Sequence, residues 1–311
     1  MSSLGGANVL ITGGNGFIGS HLVKRLAGEG AAVHVLSRSD ENIRGMENVI
    51  FHKADIRDYE VVKNAVNEAE PEKIFHLAAI VNVSREMKDM KPVMETKING
   101  TLNLLNALDG TDYDCFINTG TCEEYGSNPP PFREDMPPRP ISHYSAANAS
   151  VTSICRMLYE TNGLPILTLR QFTCYGPGQK TGMLIPYVIS SALSGDDIRL
   201  TKGEQKRDFN YVDDAVESFM KASSEKRAIG EVINVGTGES RRIMDVVASI
   251  LSITKSSAKP LFGAVPYRKP EIWEIRANIT KAERILGWKP VTGMEDGLKK
   301  TVEWYRKSIP S

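Results

Sequence analysis

Short apolar runs alternate with longer amphipathic stretches over the first half of the chain. The first run, residues 8–12, ends on glycines, which is typical of a buried parallel strand. From Phe17 the apolar residues recur at helical spacing, until Gly28 and Gly30 end the pattern. Further short runs predict strands over residues 32–36, 49–52, 73–77, 115–118 and 165–169. Amphipathic patterns predict helices over residues 59–68, 93–108 and 144–159.

Strands that alternate with helices of about 10–15 residues predict an α/β protein with a Rossmann-type, doubly wound parallel sheet. After residue 178, glycine and proline interrupt the alternation more often. Residues 230–235 predict one more strand that returns to the main sheet, and residues 281–307 predict mostly helix. We therefore expect a Rossmann domain of residues 1–172 plus 208–237. A smaller, discontinuous C-terminal domain would comprise residues 173–207 plus 238–311.

Composition and charge exclude several classes of partner. The 311 residues include 38 basic and 38 acidic side chains, so the formal net charge is zero, which argues against a nucleic-acid or membrane surface. No apolar run approaches the roughly 18 residues of a membrane span, and the N-terminus lacks the pattern of a secretory signal. Cys115, Cys122, Cys155 and Cys174 show neither CxxC pairing nor metal-ligand spacing. We expect reduced thiols, no metal site and a cytoplasmic location.

A glycine-rich turn at residues 13–19 joins the first predicted strand to the first predicted helix. Gly13 permits a tight turn, Gly16 lets the backbone approach a pyrophosphate, and Gly19 allows close packing of helix on strand. The helix N-terminus at Phe17 and Ile18 offers free N–H groups and the positive end of the helix dipole to phosphate. A plain strand-to-helix turn is the alternative. The position of the turn at the start of a βαβ unit favours a nicotinamide dinucleotide site.

The residues after the second and third strands leave the choice of dinucleotide open. Arg38 suits the 2′-phosphate of NADP, whereas Asp40 could reach the ribose hydroxyls of NAD. Arg38 is at least as well explained as a solvated loop side chain. Asp55 fits either a contact on the adenine side or a cap for the next helix. We expect NAD, with NADP left open because of Arg38.

Several longer motifs then follow in order along the chain. They are Asp55-Ile56-Arg57-Asp58, His76-Leu77-Ala78-Ala79, Asn99-Gly100-Thr101, Tyr175-Gly176-Pro177-Gly178-Gln179, Arg207-Asp208-Phe209-Asn210-Tyr211-Val212-Asp213-Asp214, Asn234-Val235-Gly236-Thr237-Gly238 and Leu286-Gly287-Trp288-Lys289-Pro290. Together with the glycine-rich turn, this series resembles the extended short-chain dehydrogenase/reductase family, whose members include NAD-dependent epimerases and dehydratases of NDP-sugars. The likeness spans almost the whole chain.

The resemblance implies a Rossmann fold, a tightly held NAD, and an NDP-sugar, expected to be a UDP-sugar, bound between the two domains. It also implies a homodimer joined through the helices predicted at residues 93–108 and 144–159. The cofactor-binding positions that it implies are Gly13, Gly16, Phe17, Ile18, Gly19, Arg38, Asp55, Ile56, Leu77, Ala78, Ala79, Tyr144 and Asn148.

The family uses a tyrosine base, a lysine four residues later, and a serine or threonine at the end of the preceding strand. Tyr144 and Thr121 fit the tyrosine and hydroxyl roles, but Asn148 stands where the lysine is expected. This departure matters because a free tyrosine has a pKa of ~10, and only about one part in a thousand is ionised at pH 7. Asparagine can hold the nicotinamide ribose by hydrogen bonds, but it supplies no charge.

The two residues after Thr121 carry the information on reaction type. In the family's 4-epimerases the residues after the hydroxyl residue typically have small side chains. In its 4,6-dehydratases the stretch resembles Thr-Asp-Glu, with the aspartate as acid and the glutamate as base. Here Cys122 occupies the acid position and Glu123 the base position. A thiol with a pKa of ~8.5 is mostly protonated at neutral pH and could protonate a leaving hydroxyl. A small buried cysteine and a solvated loop glutamate are the structural alternatives.

Four further positions match places where the family contacts its substrate. Arg207 and Arg268 are expected to bind the diphosphate, which a guanidinium can pair bidentately. Thr173 stands where asparagine is common, and Tyr187 fits either the wall of the nucleoside pocket or the core of the smaller domain.

These residues favour an NAD-dependent dehydratase of an NDP-hexose, with a UDP-N-acetylhexosamine as the expected substrate. Its cycle would comprise C4 oxidation, C5 proton abstraction and loss of the 6-hydroxyl. The departures at Cys122 and Asn148 favour 5,6-dehydration of the kind used in antibiotic biosynthesis over ordinary 4,6-dehydration. The alternatives are a UDP-sugar 4-epimerase, a decarboxylase of NDP-uronic acids, and a non-catalytic NAD(P)-binding paralogue.

Overall fold

The computed structural model describes residues 4–308 of the chain. Its strands, in chain order, are β1 (Asn8–Thr12), β2 (Ala32–Ser37), β3 (Val49–Lys53), β4 (Lys73–His76), β5 (Cys115–Thr121), β6 (Ile166–Gln171), β7 (Thr173–Tyr175), β8 (Ile198–Leu200), β9 (Lys206–Arg207), β10 (Phe209–Tyr211), β11 (Val232–Val235), β12 (Arg241–Arg242) and β13 (Pro260–Phe262).

The helices are α1 (Phe17–Gly28), α2 (Tyr59–Ala69), α3 (Met90–Met94), α4 (Gly100–Ala107), α5 (His143–Asn162), α6 (Leu184–Ser194), α7 (Val212–Ala222), α8 (Ile243–Thr254), α9 (Thr280–Leu286) and α10 (Met294–Ser308). Short 3₁₀ turns lie at Met87–Asp89, Cys122–Tyr125 and Lys226–Ala228, and one π-helical turn at Glu95–Asn99 joins α3 to α4.

Seven strands form one parallel sheet in the order β11-β6-β5-β4-β1-β2-β3. Its central strands are apolar on both faces because helices cover both. In β1, Val9 and Ile11 pack into the cluster that includes α1 and α7, while Leu10 packs into the cluster that includes α2, α4 and α5. The predicted Rossmann-type doubly wound sheet is therefore confirmed, including the return of β11 to the main sheet.

Two predicted helical stretches differ from their outlines in the sequence. The stretch at residues 93–108 starts earlier, at Met90, and contains the π-helical turn Glu95–Asn99. The stretch at residues 281–307, predicted to be mostly helix, contains two helices, α9 and α10. The break follows from Gly287, which ends α9 in the left-handed conformation at φ +56°, and from Pro290, which lacks the N–H that a continuing helix needs.

A separate apolar cluster lies among α6, α8 and α10, with β8 and β10. The short pairs β7–β10, β9–β12 and β8–β13 lie in this part of the chain. The division into residues 1–172 plus 208–237 and 173–207 plus 238–311 remains our proposal for the domain boundaries. No helix within residues 4–308 is both long enough and apolar enough to cross a membrane.

Candidate active site

The carboxyl ends of β1, β4 and β5 bring the predicted cofactor and catalytic residues to one edge of the sheet. These strands are parallel neighbours, so the turns that follow them lie side by side. The turn at Gly13 touches the segment after β4 so closely that a Cβ on Gly13 would stand 2.8 Å from the Ala78 nitrogen. The Ala78 N–H also donates to the Thr12 hydroxyl at 3.3 Å.

The glycine-rich turn fits the diphosphate of a dinucleotide. Gly13 has φ +71°, which suits glycine, and a Cβ on Gly19 would stand 2.4 Å from the Gly13 carbonyl oxygen. Gly16 is the N-cap of α1; it offers no capping side chain, and the first turn has no acidic residue. The N–H groups of Phe17 and its neighbours are therefore left for an anion. Leu77 and Ala78 lie against this turn, Ala79 follows them, and Ile56 comes after β3; their roles in cofactor binding remain predictions.

Asp40 and Asp55, which lie on the predicted adenine side, each form an ion pair with an arginine. Asp40 accepts two hydrogen bonds from Arg44, at 2.7 and 3.0 Å, and Asp55 accepts from Arg57 at 2.7 and 2.9 Å. The Arg57 hydrogen bond is the main cause that lowers the pKa of Asp55, and the positive charge of Arg38 adds to it. Arg38 therefore lies close enough to Asp55 to interact with it electrostatically.

Thr121 and Tyr144 are brought together as predicted, by the end of β5 and the start of α5. Ser142 caps α5, with its hydroxyl accepting from the Ser145 N–H at 3.1 Å, and this cap fixes where the helix begins. Burial raises the pKa of the Tyr144 phenol, and a hydrogen bond with the Thr121 side chain opposes that rise. Because burial disfavours the tyrosinate, a nearby positive charge is needed if Tyr144 is to act as a base.

Asn148 lies one turn after Tyr144 and is buried. Its side-chain N–H donates to the Tyr144 carbonyl at 2.9 Å, so the amide is held against its own helix. It supplies no charge to the site.

Glu123 is a half-buried carboxylate under the electrostatic influence of three arginines. Burial raises the pKa of Glu123, while the positive charges of Arg207, Arg268 and Arg85, in that order, oppose the rise. Glu123 lies in the 3₁₀ turn that begins after Thr121, whose hydroxyl accepts from the Glu123 N–H at 3.3 Å. A carboxylate with a raised pKa, next to cations that keep it available in its ionised form, can act as a general base.

Cys122 is buried and stays protonated. Burial raises the pKa of its thiol, and the negative charge of Glu123 adds to the effect. The side chain belongs to an apolar cluster with Tyr125, Phe132 and Phe172, so packing is one of its roles. The protonated thiol directly beside a carboxylate also provides an acid next to a base.

The four predicted substrate residues fall in different surroundings. Arg207 donates to the Glu271 carboxylate at 2.7 Å and to the Ile272 carbonyl at 2.8 Å, and Arg268 is exposed in the segment after β13. Thr173 is half-buried at the start of β7. Tyr187 lies on α6, where its hydroxyl accepts from the Arg199 N–H at 3.0 Å and its ring packs on the second cluster. All four roles remain predictions.

Sequence reasoning missed two charged residues near the site. Arg85, whose Nε donates to the Ile141 carbonyl at 3.0 Å, acts electrostatically on Glu123. Its position in the connection after β4 was the available signal, because such connections line the ligand crevice of doubly wound sheets. Lys97 is buried below α5, and its place on the apolar stripe with Val93 and Leu104 could have marked it. Within the described part of the chain, no group of three His, Cys, Asp or Glu side chains could hold a metal ion.

Comparison with known proteins places this geometry among nucleotide-sugar enzymes. Residues 9–236 match the model of the NAD dependent epimerase/dehydratase family. A UDP-N-acetyl-alpha-D-glucosaminuronate decarboxylase from Bacillus cytotoxicus is 36% identical, over 96% of this chain and 97% of that protein. A dTDP-glucose 4,6-dehydratase from Xanthomonas campestris pv. campestris is 31% identical, over 96% and 93%.

The fold also matches solved structures. The UDP-glucuronic acid 4-epimerase from Bacillus cereus, in complex with UDP-glucuronic acid and NAD, superimposes with a TM-score of 0.89 at 30% identity. The match covers 97% of this chain and 99% of the epimerase. The relatives thus include a decarboxylase, a dehydratase and an epimerase.

Proposed function

The chain belongs to the NAD-dependent epimerase/dehydratase family, and we propose that within it the chain is an NDP-hexose dehydratase acting on a UDP-N-acetylhexosamine. The observation that carries this proposal is the adjacent pair Cys122 and Glu123. A protonated thiol and a half-buried carboxylate directly follow the hydroxyl residue Thr121. Elimination of water needs an acid and a base at neighbouring carbons, whereas epimerisation at C4 needs neither.

The first chemical role belongs to Tyr144 and Thr121. The Tyr144 phenolate takes the proton of the sugar 4-hydroxyl, and the Thr121 hydroxyl hydrogen-bonds the same oxygen and orients it. The glycine-rich turn of residues 13–19 would hold NAD, which would supply reversible hydride acceptance within one turnover. The product therefore shows no net oxidation or reduction.

Glu123 and Cys122 carry out the elimination. A C4 ketone acidifies the proton on C5, and the Glu123 carboxylate removes that proton. The C6–O bond then breaks as the Cys122 thiol gives its proton to the departing hydroxyl, which leaves as water. Glu123 gains the proton that C5 loses and Cys122 loses the one that water gains, so both must re-equilibrate before the next turnover.

Two products are compatible with this pair of residues. If Tyr144 returns its proton to O4, the C4 alcohol is restored and a 5,6-unsaturated sugar is released. If the hydride returns to C6 instead of C4, and Glu123 returns a proton to C5, the product is a 4-keto-6-deoxy sugar. We favour the 5,6-product because Cys122 and Asn148 both depart from the ordinary 4,6-dehydratase pattern. The UDP-N-acetylglucosamine 5,6-dehydratase of tunicamycin-type antibiotic biosynthesis is the nearest activity we can suggest.

A decarboxylase is the second candidate, and one observation favours it. Arg85, Arg207 and Arg268 all act electrostatically on Glu123, and such a group could bind the carboxylate of a uronic acid. The decarboxylase from Bacillus cytotoxicus, at 36% identity, supports this reading. A 4-epimerase is third: the epimerase structure fits it, but the Glu123 carboxylate has no role in that reaction.

We also propose that the chain uses NAD and forms a homodimer through α4 and α5. The family model and the NAD-bound relative support NAD, and Arg38 is the reason to test NADP beside it. Leu102 on α4 and Met157 on α5 are large apolar side chains with 39% and 46% of their surface exposed. Burial in a second copy of this chain would remove that surface from water.

A panel of substrates separates the three reactions. The enzyme is incubated with UDP-N-acetylglucosamine, its C6 uronic acid and dTDP-glucose, and the product masses are measured. Loss of one water from UDP-N-acetylglucosamine supports the dehydratase. Loss of carbon dioxide from the uronic acid, with no reaction of the other two, would establish the decarboxylase instead. A product of unchanged mass and inverted C4 would establish the epimerase.

A further inference from the structure

Among residues 4–308, one lysine is fully buried, in the helical turn that packs on α5. Lys97 is 1% exposed, and burial lowers its pKa to about 8. It lies in the π-helical turn Glu95–Asn99, which inserts extra backbone into the helix formed by α3 and α4. Such turns are rare and are frequent at functional sites. This turn places the lysine on the face of the helix that packs against the sheet and α5.

The ammonium group of Lys97 is held by strand β5. Its Nζ donates to the Asn118 side-chain oxygen at 3.0 Å and to the Thr119 carbonyl at 2.9 Å. Because a strand rises roughly 3.3 Å per residue, Thr119 and Thr121 are separated by roughly 7 Å along β5. Thr121 in turn hydrogen-bonds Tyr144. Lys97 is therefore held on the same strand, β5, whose last residue, Thr121, hydrogen-bonds Tyr144.

The buried charges around Lys97 leave a surplus of positive charge. Glu124, in the 3₁₀ turn after β5, interacts electrostatically with Lys97. Arg170, on β6, pairs with Glu124: its Nε donates to the carboxylate at 2.9 Å. That ion pair is internally balanced, so Lys97 is the unmatched cation among these three. His76 on β4 is fully buried, which lowers its pKa and keeps it neutral, and Cys155 on α5 has its pKa raised by burial to about 12 and remains a thiol.

Glu124 also couples this group to the site. Its Oε1 accepts from the Thr121 N–H at 2.9 Å, while its Oε2 accepts from Arg170. The negative charge of Glu124 raises the pKa of Tyr144, so without a further cation the carboxylate would oppose the tyrosinate. A positive charge on the same polar group offsets that effect.

We propose that Lys97 supplies, from beneath α5, the positive charge that favours the ionised form of Tyr144 and that Asn148 does not supply. Lys97 is a positioning residue, since it contacts β5 rather than the reacting atoms. The inference rests on the proposed role of Tyr144 as the base. It accounts for an asparagine at position 148 in a working enzyme, because the cation comes from the neighbouring helix instead.

The direct test is the titration of Lys97 by NMR, because Lys97, with a pKa of about 8, loses its proton before the buried Tyr144 does. Full-length protein with NAD bound is labelled at the lysine Cε carbon, and Lys97→Met assigns the signal. We expect Tyr144→Glu, which places a negative charge near the position of the tyrosinate, to raise the Lys97 pKa by about one unit relative to Tyr144→Gln. Lys73 is the matched control in the same spectra, since it also binds a carbonyl, that of Ser223, but lies at the opposite end of the sheet. An unchanged Lys97 pKa in Tyr144→Glu overturns the proposal, whichever reaction the enzyme catalyses.

Exchanging the two side chains gives a second test. At neutral pH, where Lys97 is protonated, Lys97→Asn should lower kcat by about tenfold or more, and the difference from wild type should shrink above pH 8. Adding Asn148→Lys to that variant should restore much of the loss. In the wild-type background Asn148→Lys should not raise kcat, because a cation is already present.

The single variant Asn148→Lys also decides the matter if Lys97 variants fail to fold. A rise in kcat of about a hundredfold or more would mean that the native site lacks an effective cation, and Lys97 would then have no role at Tyr144. If no sugar nucleotide reacts at all, the proposed function fails, but the NMR titration still decides whether Lys97 acts on Tyr144.

Discussion

Replacing Lys97 by methionine removes a charge from the interior and has a predictable effect on stability. Methionine keeps the length and much of the volume of the side chain, so packing changes little. The substitution loses the hydrogen bonds to Asn118 and Thr119, a cost that does not depend on pH over the neutral range. It also removes a group whose pKa differs between the folded and unfolded chains, and this part depends on pH.

The magnitude follows from the pKa of Lys97. Burial lowers it from 10.5 to about 8, so the unfolded chain holds the proton more tightly than the folded chain does. Between those two values the unfolded state binds more protons, and stability rises with pH. At about 1.36 kcal/mol per pKa unit, the charged lysine costs the folded state about 3 kcal/mol below pH 8. Integrating the same relation from pH 7 to 9.5 recovers about 2 kcal/mol of that cost.

Urea unfolding of wild type, Lys97→Met and Lys73→Met at a series of pH values measures this effect. The free energy of unfolding of wild type, relative to Lys97→Met, should increase by about 2 kcal/mol between pH 7 and pH 9.5. Lys73→Met is the control, because the Lys73 side chain keeps 14% of its surface exposed and pairs with Asp114. Parallel curves for wild type and Lys97→Met would refute the assignment of Lys97 as a buried cation.

Four further variants test the site and its surroundings. Glu123→Gln should abolish exchange of the C5 proton while NAD still binds, as followed by NMR and calorimetry. Arg85→Met removes a cation that lowers the pKa of Glu123, so the acidic limb of kcat/KM against pH should move to higher pH. Arg38→Ala should weaken NADP by about tenfold more than NAD, measured by calorimetry. Met157→Glu should convert a dimer to a monomer in light scattering, with the fold intact by circular dichroism.

The sequence patterns were sufficient to predict the sheet because its strands are short, apolar and separated by helices. They also led to the turn at Gly13, since a tight turn with φ +71° and a close backbone approach leave few alternatives to glycine. The sequence predicted that residues 281–307 are mostly helix but did not locate the end of α9 at Gly287. The break depends on a single left-handed glycine and a nearby proline.

The charged neighbours of Glu123 and Tyr144 were harder to predict. Arg85 and Lys97 lie in the segments that precede β5, the connection after β4 and the helix α3–α4. Only the packing of these segments brings the two side chains close to Glu123 and to β5. A lysine within an amphipathic helix is ordinarily exposed. The spacing of Lys97 from Val93 and Leu104 was the available signal for its burial, but the π-helical turn that carries it is not visible in the sequence.

The claim that Glu123 and Cys122 eliminate water is tested most directly by following UDP-N-acetylglucosamine in deuterium oxide by proton NMR and mass spectrometry. The account predicts a product that has lost one water and carries no protium at C5, formed by wild type and not by Glu123→Gln. A product that keeps its protium at C5 and its 6-hydroxyl, with only C4 inverted, would contradict it.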